Sequence, residues 1–302
     1  MSELIYKFKT IEQCNMCCDS SEKFKLLGQR LNQTQGFRPS KKIGITTRVM
    51  QCATCGLVFS NPMPMPASIQ DHYGVPPENY WTENYFQIDS NYFLGEINWL
   101  EKLKQVRPGM KSLDIGAGLG KQMIALQNRG FDAYGLEPSI EFYKRAIEKM
   151  GIRQEKLSLC TLEEAVYDEA TFDFISFGAV LEHLYDPAGA LKIALRWLKP
   201  DGLIHVEVPN SAWLTNKIIN MIYKLMGSAY VGNISPMHNP YHLYEFSLDS
   251  FRRNGKINNY EIRDHGYYVC DTFMPKMIDP VLKQLMNKTD TGMQLCVWLK
   301  KL

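Results

Sequence analysis

At 302 residues the chain has room for one large domain, or for one domain with a small module attached. Its 45% hydrophobic and 22% charged residues support a packed core and exclude a disordered chain. A net charge of only +2 excludes a strongly basic nucleic-acid binder, although residues 1–60, with nine Lys/Arg against four acids, carry +5 and leave −3 for the rest.

The first residues hold no signal-peptide core and no run is apolar for long enough to cross a bilayer, so a cytoplasmic protein with reduced or metal-bound cysteines is expected. Cys14-Asn-Met-Cys17 and Cys52-Ala-Thr-Cys55-Gly56 are two C-x-x-C knuckles separated by 34 residues. Two such pairs can close four thiolates tetrahedrally on one Zn²⁺; two unrelated reduced pairs are the alternative. A four-thiolate site leaves no position for water or substrate. Zinc would therefore fold the module, and the basic ribbon would either grip an anionic substrate or pack as a pocket wall. Cys18 is a spare thiol or an exchanged ligand. Residues 24–27 and 43–50 read as strands around a polar loop. Residues 61–66, NPMPMP, read as an extended linker. The expected organisation is thus a zinc-ribbon module over 1–60, a linker and covering segment over 61–91, and a main domain over 92–302. The covering segment carries a short helix over 67–73 and the aromatic residues Tyr80, Trp81, Tyr85 and Phe86.

Phe93, Ile97, Leu100 and Leu103 form a helical stripe over 92–106, ended by Pro108-Gly109. Residues 111–120, KSLDIGAGLG, then run an apolar strand into a turn holding Gly116, Gly118 and Gly120, with a helix over 121–129. That is a nucleotide-binding βα unit. The second strand, 131–137, ends on Glu137, 21 positions after Gly116, where a doubly wound fold places an acid for ribose hydroxyls. The spacing is G-x-G-x-G, not the dinucleotide G-x-G-x-x-G. Asp114, two residues before the first glycine, suits a cationic amino-acid cofactor better than a diphosphate. A Rossmann-type dehydrogenase, or a glycine turn without ligand, is the alternative.

On these residues the chain resembles the class I S-adenosylmethionine-dependent methyltransferases over about residues 92–300. The resemblance implies an α/β, Rossmann-like, seven-stranded sheet and S-adenosylmethionine as cofactor. It implies cofactor contacts at Asp114, Gly116, Ala117, Gly118, Gly120, Glu137 and Pro138. It adds Thr161 and Leu162 beyond the third strand, and Phe177 and Gly178 at the end of the fourth.

Further along, a helix is expected over 139–150 with Ser139 as N-cap, without a capping box because Phe142 stands at its third position. Strands follow over 157–160 and 172–180, the latter running into LEHLYDP at 181–187. A helix over 188–198, a turn at Pro200-Asp201-Gly202 and a fifth strand over 203–210 come next. The segment 211–247 is an insertion. Its helix, 213–226, carries Leu214, Ile218, Ile222 and Leu225 on one face. A lid over the acceptor is the first reading, a dimer face the second and membrane-surface contact the last, since only Lys217 and Lys224 decorate the polar side. A helix over 248–254, a strand over 257–263, a helix over 276–286 and a strand over 294–299 complete the expected elements. Cys160, Cys270 and Cys296 read as small core residues.

The runs CATCGLVFSNPMP, EHL and H-L-x-x-F-S are similar to those of sugar methyltransferases with an N-terminal zinc ribbon. That resemblance implies a small-molecule acceptor, an anionic or nucleotide-linked sugar. His242 and His183 are the candidate bases, and Tyr80, Tyr85, Glu182 and Tyr241 the acceptor contacts. For any single histidine a structural hydrogen bond is the alternative. Tyr241 occupies the place of a glutamate found in members that methylate carbon, and the chain stops at Leu302 without their extra C-terminal domain. O-methylation of a sugar, or of a sugar-linked surface-polysaccharide precursor, is therefore expected. An RNA methyltransferase using the basic ribbon is the alternative function, weakened by the lack of aromatic-interleaved basic patches. A non-catalytic binding module is a third.

Overall fold

Short strands before, between and after the two cysteine knuckles open the chain. The structure, a computed structural model, describes residues 6–31, 36–37, 39, 44–66, 81–236, 242–270 and 276–302. The expected helix over 67–73, Tyr80 and Tyr241 lie outside them. The first five strands are β1 (Tyr6–Lys9), β2 (Phe24–Leu31), β3 (Thr46–Cys52), β4 (Val58–Asn61) and β5 (Met63–Pro66). The proline run at 62–66 is thus partly an edge strand, β5, paired antiparallel with β1. Alternate prolines are compatible with such an edge because each lacks only the donor a neighbour would have used.

The α/β elements follow in chain order: α1 (Leu94–Leu103), β6 (Lys111–Ile115), α2 (Lys121–Asn128), β7 (Asp132–Leu136), α3 (Ile140–Glu148), β8 (Leu157–Ser158), β9 (Phe172–Gly178), α4 (Pro187–Trp197) and β10 (Leu198–Pro209). The last elements are α5 (Leu214–Leu225), β11 (Tyr244–Glu245), α6 (Leu248–Asn258), β12 (Tyr260–Tyr268), α7 (Asp279–Thr289) and β13 (Gln294–Lys301). Seven strands form one sheet in the order β12-β13-β10-β9-β6-β7-β8. β6, β7, β8 and β9 pair in parallel. β9 is buried along almost its whole length, as its continuous apolar run requires. The chain winds outward from β6 through β7 to β8, then returns to place β9 on the other side of β6. That reversal is the switch point where open α/β sheets bind ligands.

By its contacts the chain divides into two units, 1–66 with 179–189 and 206–299, and 67–178 with 190–205 and 300–302. In the first unit a separate four-stranded sheet has the order β11-β4-β3-β2. Its edge strand β11 comes from the H-L-x-x-F-S run, Tyr244 opposing Phe59 and Glu245 opposing Val58. The sequence offered no sign of this pairing.

Several boundaries differ from expectation. The strand β10 runs through Pro200-Asp201-Gly202 instead of starting after a turn. The chain bends tightly there: a Cβ on Gly202 would meet the Leu198 side chain at 2.7 Å. The helix α6 extends to Asn258, so Ile257 is helical and β12 starts only at Tyr260. Ser247 caps its start, accepting from Ser250 N–H, and Asn259 in the left-handed region ends it. Gly255 is kept inside the helix because the Tyr260 ring and carbonyl press on it. In α5 the buried residues are Thr215 and Asn216, whereas Met221, Ile222, Leu225 and the following Met226 are exposed. The polar side is the one tied down: Asn220 donates to the Asn216 and Gly232 carbonyls, and Asn233 donates to Asn216. No helix among the described residues is long and apolar enough to cross a membrane.

Candidate active site and thiolate cluster

The glycine turn follows β6, with Gly116, Gly118 and Gly120 all at positive φ (70°, 54° and 75°). Those backbones are closed to most side chains, and a Cβ on Gly118 would project into open space. Gly135 in β7 answers a different need. A Cβ there would strike Met123 at 2.6 Å and Ala117 at 2.9 Å, so only glycine lets β7 lie against the turn.

Two acids flank this turn, both buried. Asp114 accepts from Gln122 Nε2 at 3.0 Å and from the Ser176 hydroxyl at 3.1 Å, Ser176 lying opposite it on β9. Gln122 also bonds Ser176. Burial pushes the Asp114 carboxyl up to about 7, opposed by the Ser176 hydroxyl and assisted by the Glu137 charge. Glu137 Oε2 accepts from Gly118 N–H and Oε1 from Ser139 N–H, each at 2.7 Å. Burial raises it to about 7 against the pull of those two donors. Each of its oxygens keeps a second lone pair for a ligand hydroxyl. Two neighbouring buried acids with raised pKa values fit a ligand that carries positive charge and hydroxyl donors. This chemistry suits S-adenosylmethionine.

Around the turn, Ala117 and Leu162 are buried and Phe177 is fully so. Gly178 packs on Gln122, 3.1 Å from its Oε1 to a Cβ position. Thr161 begins a turn closed by reciprocal bonds with Glu164, N–H to Oε2 at 2.9 Å and N–H to Oγ1 at 3.3 Å. Pro138 follows Glu137, half-buried. The Lys121 ammonium stands 4.8 Å from the Tyr85 ring, and Arg145 lies 3.9 Å from the Trp81 ring, which also packs on Phe142. Tyr85 and Trp81 are therefore fixed to the helices that follow β6 and β7 by cation–π contacts.

In the other unit Cys14, Cys17, Cys52 and Cys55 have their four sulfurs within 4.8 Å of one another. Cys14 and Cys55 sulfurs are 3.4 Å apart, and those of Cys17 and Cys52 3.6 Å. Tetrahedral zinc with bonds of about 2.3 Å needs sulfurs ~3.8 Å apart, so the donor set fits. The hydrogen bond between the Cys14 and Cys55 sulfurs holds the Cys14 thiol down to about 6. Cys18 is exposed and points to no shared position with these four.

The knuckle is clasped to the LEHLYDP run by Asn15. Its amide donates to Asp186 Oδ1 and its carbonyl oxygen accepts from Ala188 N–H, both at 2.9 Å. Asn254 donates to the Met16 carbonyl and the Ser247 hydroxyl to the Cys55 carbonyl. At the other end of LEHLYDP, Glu182, His183 and His242 bring ligand atoms within 4.8 Å of one another. The two imidazoles meet edge to face at 4.5 Å between centroids. His242 Nδ1 and the Ser235 hydroxyl are hydrogen-bonded at 2.6 Å, and Leu243 N–H donates to the Glu182 carbonyl at 2.8 Å. Glu182 is 1% exposed, and its Oε2 has no hydrogen-bond partner among the described residues. Burial raises it to about 8, its own N–H opposes and Glu207 adds to the rise.

Sequence reasoning did not single out Gln122, Ser176, Asn15 or Ser235. Gln122 left a trace, being polar on the inward face of α2 beside Met123 and Leu126. The other three left none.

Residues 95–265 match the profile of a family described as a methyltransferase domain. The chain is 24% identical over 144 residues to the ubiquinone biosynthesis O-methyltransferase of Leptothrix cholodnii, covering 46% of this chain and 59% of that protein. It is 31% identical over 109 residues to the demethylmenaquinone methyltransferase of Bacillus mycoides, covering 34% and 46%. The mitochondrial ubiquinone biosynthesis O-methyltransferase of Bos taurus is 31% identical over 113 residues, 35% of this chain and 30% of that one. The matched stretches thus span less than two thirds of these relatives. Among solved structures, an S-adenosylmethionine dependent methyltransferase from Mesorhizobium loti superposes on 70% of this chain and 98% of its own, with TM-score 0.49 and 12% identity.

Proposed function

The chain belongs to the methyltransferase domain family, and on that premise we propose that it moves a methyl group from S-adenosylmethionine to a hydroxyl of a small polar acceptor, a sugar or sugar-linked precursor. The observation that carries the hydroxyl is the meeting of Glu182, His183 and His242, begun four residues along the chain from Gly178. A sugar hydroxyl is far less acidic than a phenol, so it gains most from a group that removes its proton as the bond to carbon forms.

Bound S-adenosylmethionine supplies an electrophilic methyl on a sulfonium. The protein's own work divides in two. Asp114 and Glu137, with Gly118 N–H orienting the latter, hold the cofactor through charge and hydroxyl contacts. His242, oriented by the Ser235 hydroxyl, is the candidate base, and the His183 ring packs edge to face against it. The names of the curated relatives support oxygen as the accepting atom, since two of the three compared are O-methyltransferases.

The test is the full chain carrying His242→Ala, assayed by S-adenosylhomocysteine release with nucleotide sugars and simple phenols as acceptors. Turnover is expected to fall by roughly 10²–10⁴ while cofactor affinity by calorimetry stays the same. Parallel losses in both would make His242 structural. A protein that methylates phenols and refuses every sugar would overturn the acceptor class.

A further inference from the structure

We propose that Glu182, His183 and His242 form a second metal site, which binds one divalent cation of the first transition row. The inference rests on the reading that this cluster faces the acceptor, and it specifies how the cluster acts there.

Four observations converge on an ion. The Glu182 carboxylate is buried and one of its oxygens faces no donor, an arrangement that buried polar groups ordinarily avoid. Two imidazoles stand beside it with their ligand atoms inside the same 4.8 Å sphere. Two nitrogens and one carboxylate oxygen are the donor set that zinc, manganese, iron and cobalt share, with positions left over for a further ligand. The His242 ring is itself held in place, its Nδ1 hydrogen-bonded to the Ser235 hydroxyl. Ligating histidines almost always have their second nitrogen fixed in this way. The two segments that supply the ligands are also pinned together by the Leu243 N–H to Glu182 carbonyl bond, so their meeting does not depend on side chains alone. The site is chemically distinct from the thiolate cluster, which is closed by four sulfurs.

An ion held there would lower the pKa of an acceptor hydroxyl placed on one of its open positions. The hydroxyl proton passes to water and the oxygen lone pair forms the bond to the methyl carbon. The carbon–sulfur bonding pair returns to sulfur, leaving neutral S-adenosylhomocysteine. Neither imidazole then has to accept the proton itself.

The experiment uses full-length protein dialysed against citrate, a chelator too weak to strip a four-thiolate zinc, then against metal-free buffer, and titrated with Mn²⁺ alone, with free Mn²⁺ followed by electron paramagnetic resonance. Manganese avoids thiolate sites, so the cysteine cluster does not contribute. One equivalent is expected to bind. Glu182→Gln, which keeps the shape of the side chain, and His242→Ala should each weaken binding at least tenfold, and His265→Ala should leave it unchanged. Uptake of no Mn²⁺ by the wild-type chain, or equal uptake by Glu182→Gln and His242→Ala with native circular dichroism, would overturn the site. Turnover separates the two readings. Full activity after the citrate dialysis with no Mn²⁺ uptake removes the ion and keeps the histidine base. Stoichiometric uptake that responds to Glu182→Gln, with no methyl transfer to any sugar, keeps the ion and removes the acceptor reading.

Discussion

The glycine turn and the histidine–thiolate region solve the same problem, holding charged groups away from water, by opposite means. In the first, each buried acid meets donors from its own neighbourhood: Asp114 from Gln122 and Ser176, Glu137 from Gly118 and Ser139. All of these lie at strand ends of one parallel ladder, in the turns that leave it or in the first turn of the helix that follows. In the second, Glu182 leaves an oxygen without a donor, and the unit is assembled from three separate stretches, 1–66, 179–189 and 206–299. Its integrity depends on four sulfurs that close 1–66 on itself, on Asn15, which ties that stretch to 179–189, and on the β4–β11 pairing, which ties it to 206–299. A site at the edge of a ladder inherits its rigidity; a site gathered from distant segments has to be fastened.

The largest expected break in that comparison comes from the sulfurs. Structural zinc contributes about 10–16 kcal/mol to small modules. Cys52→Ser with Cys55→Ser, or strong chelation, should therefore unfold the four-stranded sheet, read as lost hydrogen-exchange protection in β2, β3, β4 and β11. Residues 111–136 should keep theirs. Unchanged protection throughout would mean that the thiols carry no metal.

Next in size are the acids of the cradle. Asp114→Asn and Glu137→Gln should each weaken S-adenosylmethionine by roughly 10- to 100-fold, the range for losing a charged hydrogen bond. Calorimetry decides, and a change below threefold in both would contradict the assignment. A smaller effect follows from pH. Folded Asp114 and Glu137 hold their protons up to about pH 7, whereas unfolded carboxyls lose theirs near ~4. The ligand-free protein should thus lose stability as pH rises through that window. Binding of a cationic cofactor favours the ionised acids, so its affinity should rise several-fold between pH 6 and 8; a flat profile would speak against both shifts. The smallest effect is expected of Asn15→Ala, about 1–3 kcal/mol for two lost bonds to Asp186 and Ala188. It should appear as a lower melting temperature with one metal equivalent still bound at the cysteines.

The same contrast explains what the amino-acid sequence disclosed. Asp114, the three glycines and Glu137 are legible because a strand, a turn and a helix place them by local spacing. The seven-stranded sheet follows from the repetition of that unit. Ser139 is legible as a cap for the same reason. Asn15 is not, because its partners lie 171 and 173 residues away and nothing near it announces them. The pairing of Tyr244 with Phe59 is equally silent, a two-residue strand having no period to read. The helix α5 misled through its very regularity. Ile222 and Leu225 keep the spacing of a buried face, yet Asn216 and Asn220 supply the hydrogen bonds that decide which side turns inward. His183 and His242 were found by resemblance, but their nearness to a buried Glu182 whose Oε2 has no donor is visible only in three dimensions.

The pairing of Phe59 with Tyr244 also sets a timetable. The two residues are separated by 185 positions, and a ribosome adding 5–20 residues each second takes about 10–40 s to cover them. Throughout that interval the nascent N-terminus has made its cysteines but cannot yet close the outer edge of its sheet. Early capture of a metal by the two knuckles would keep four thiols from oxidation while the remainder of their own fold is still being translated.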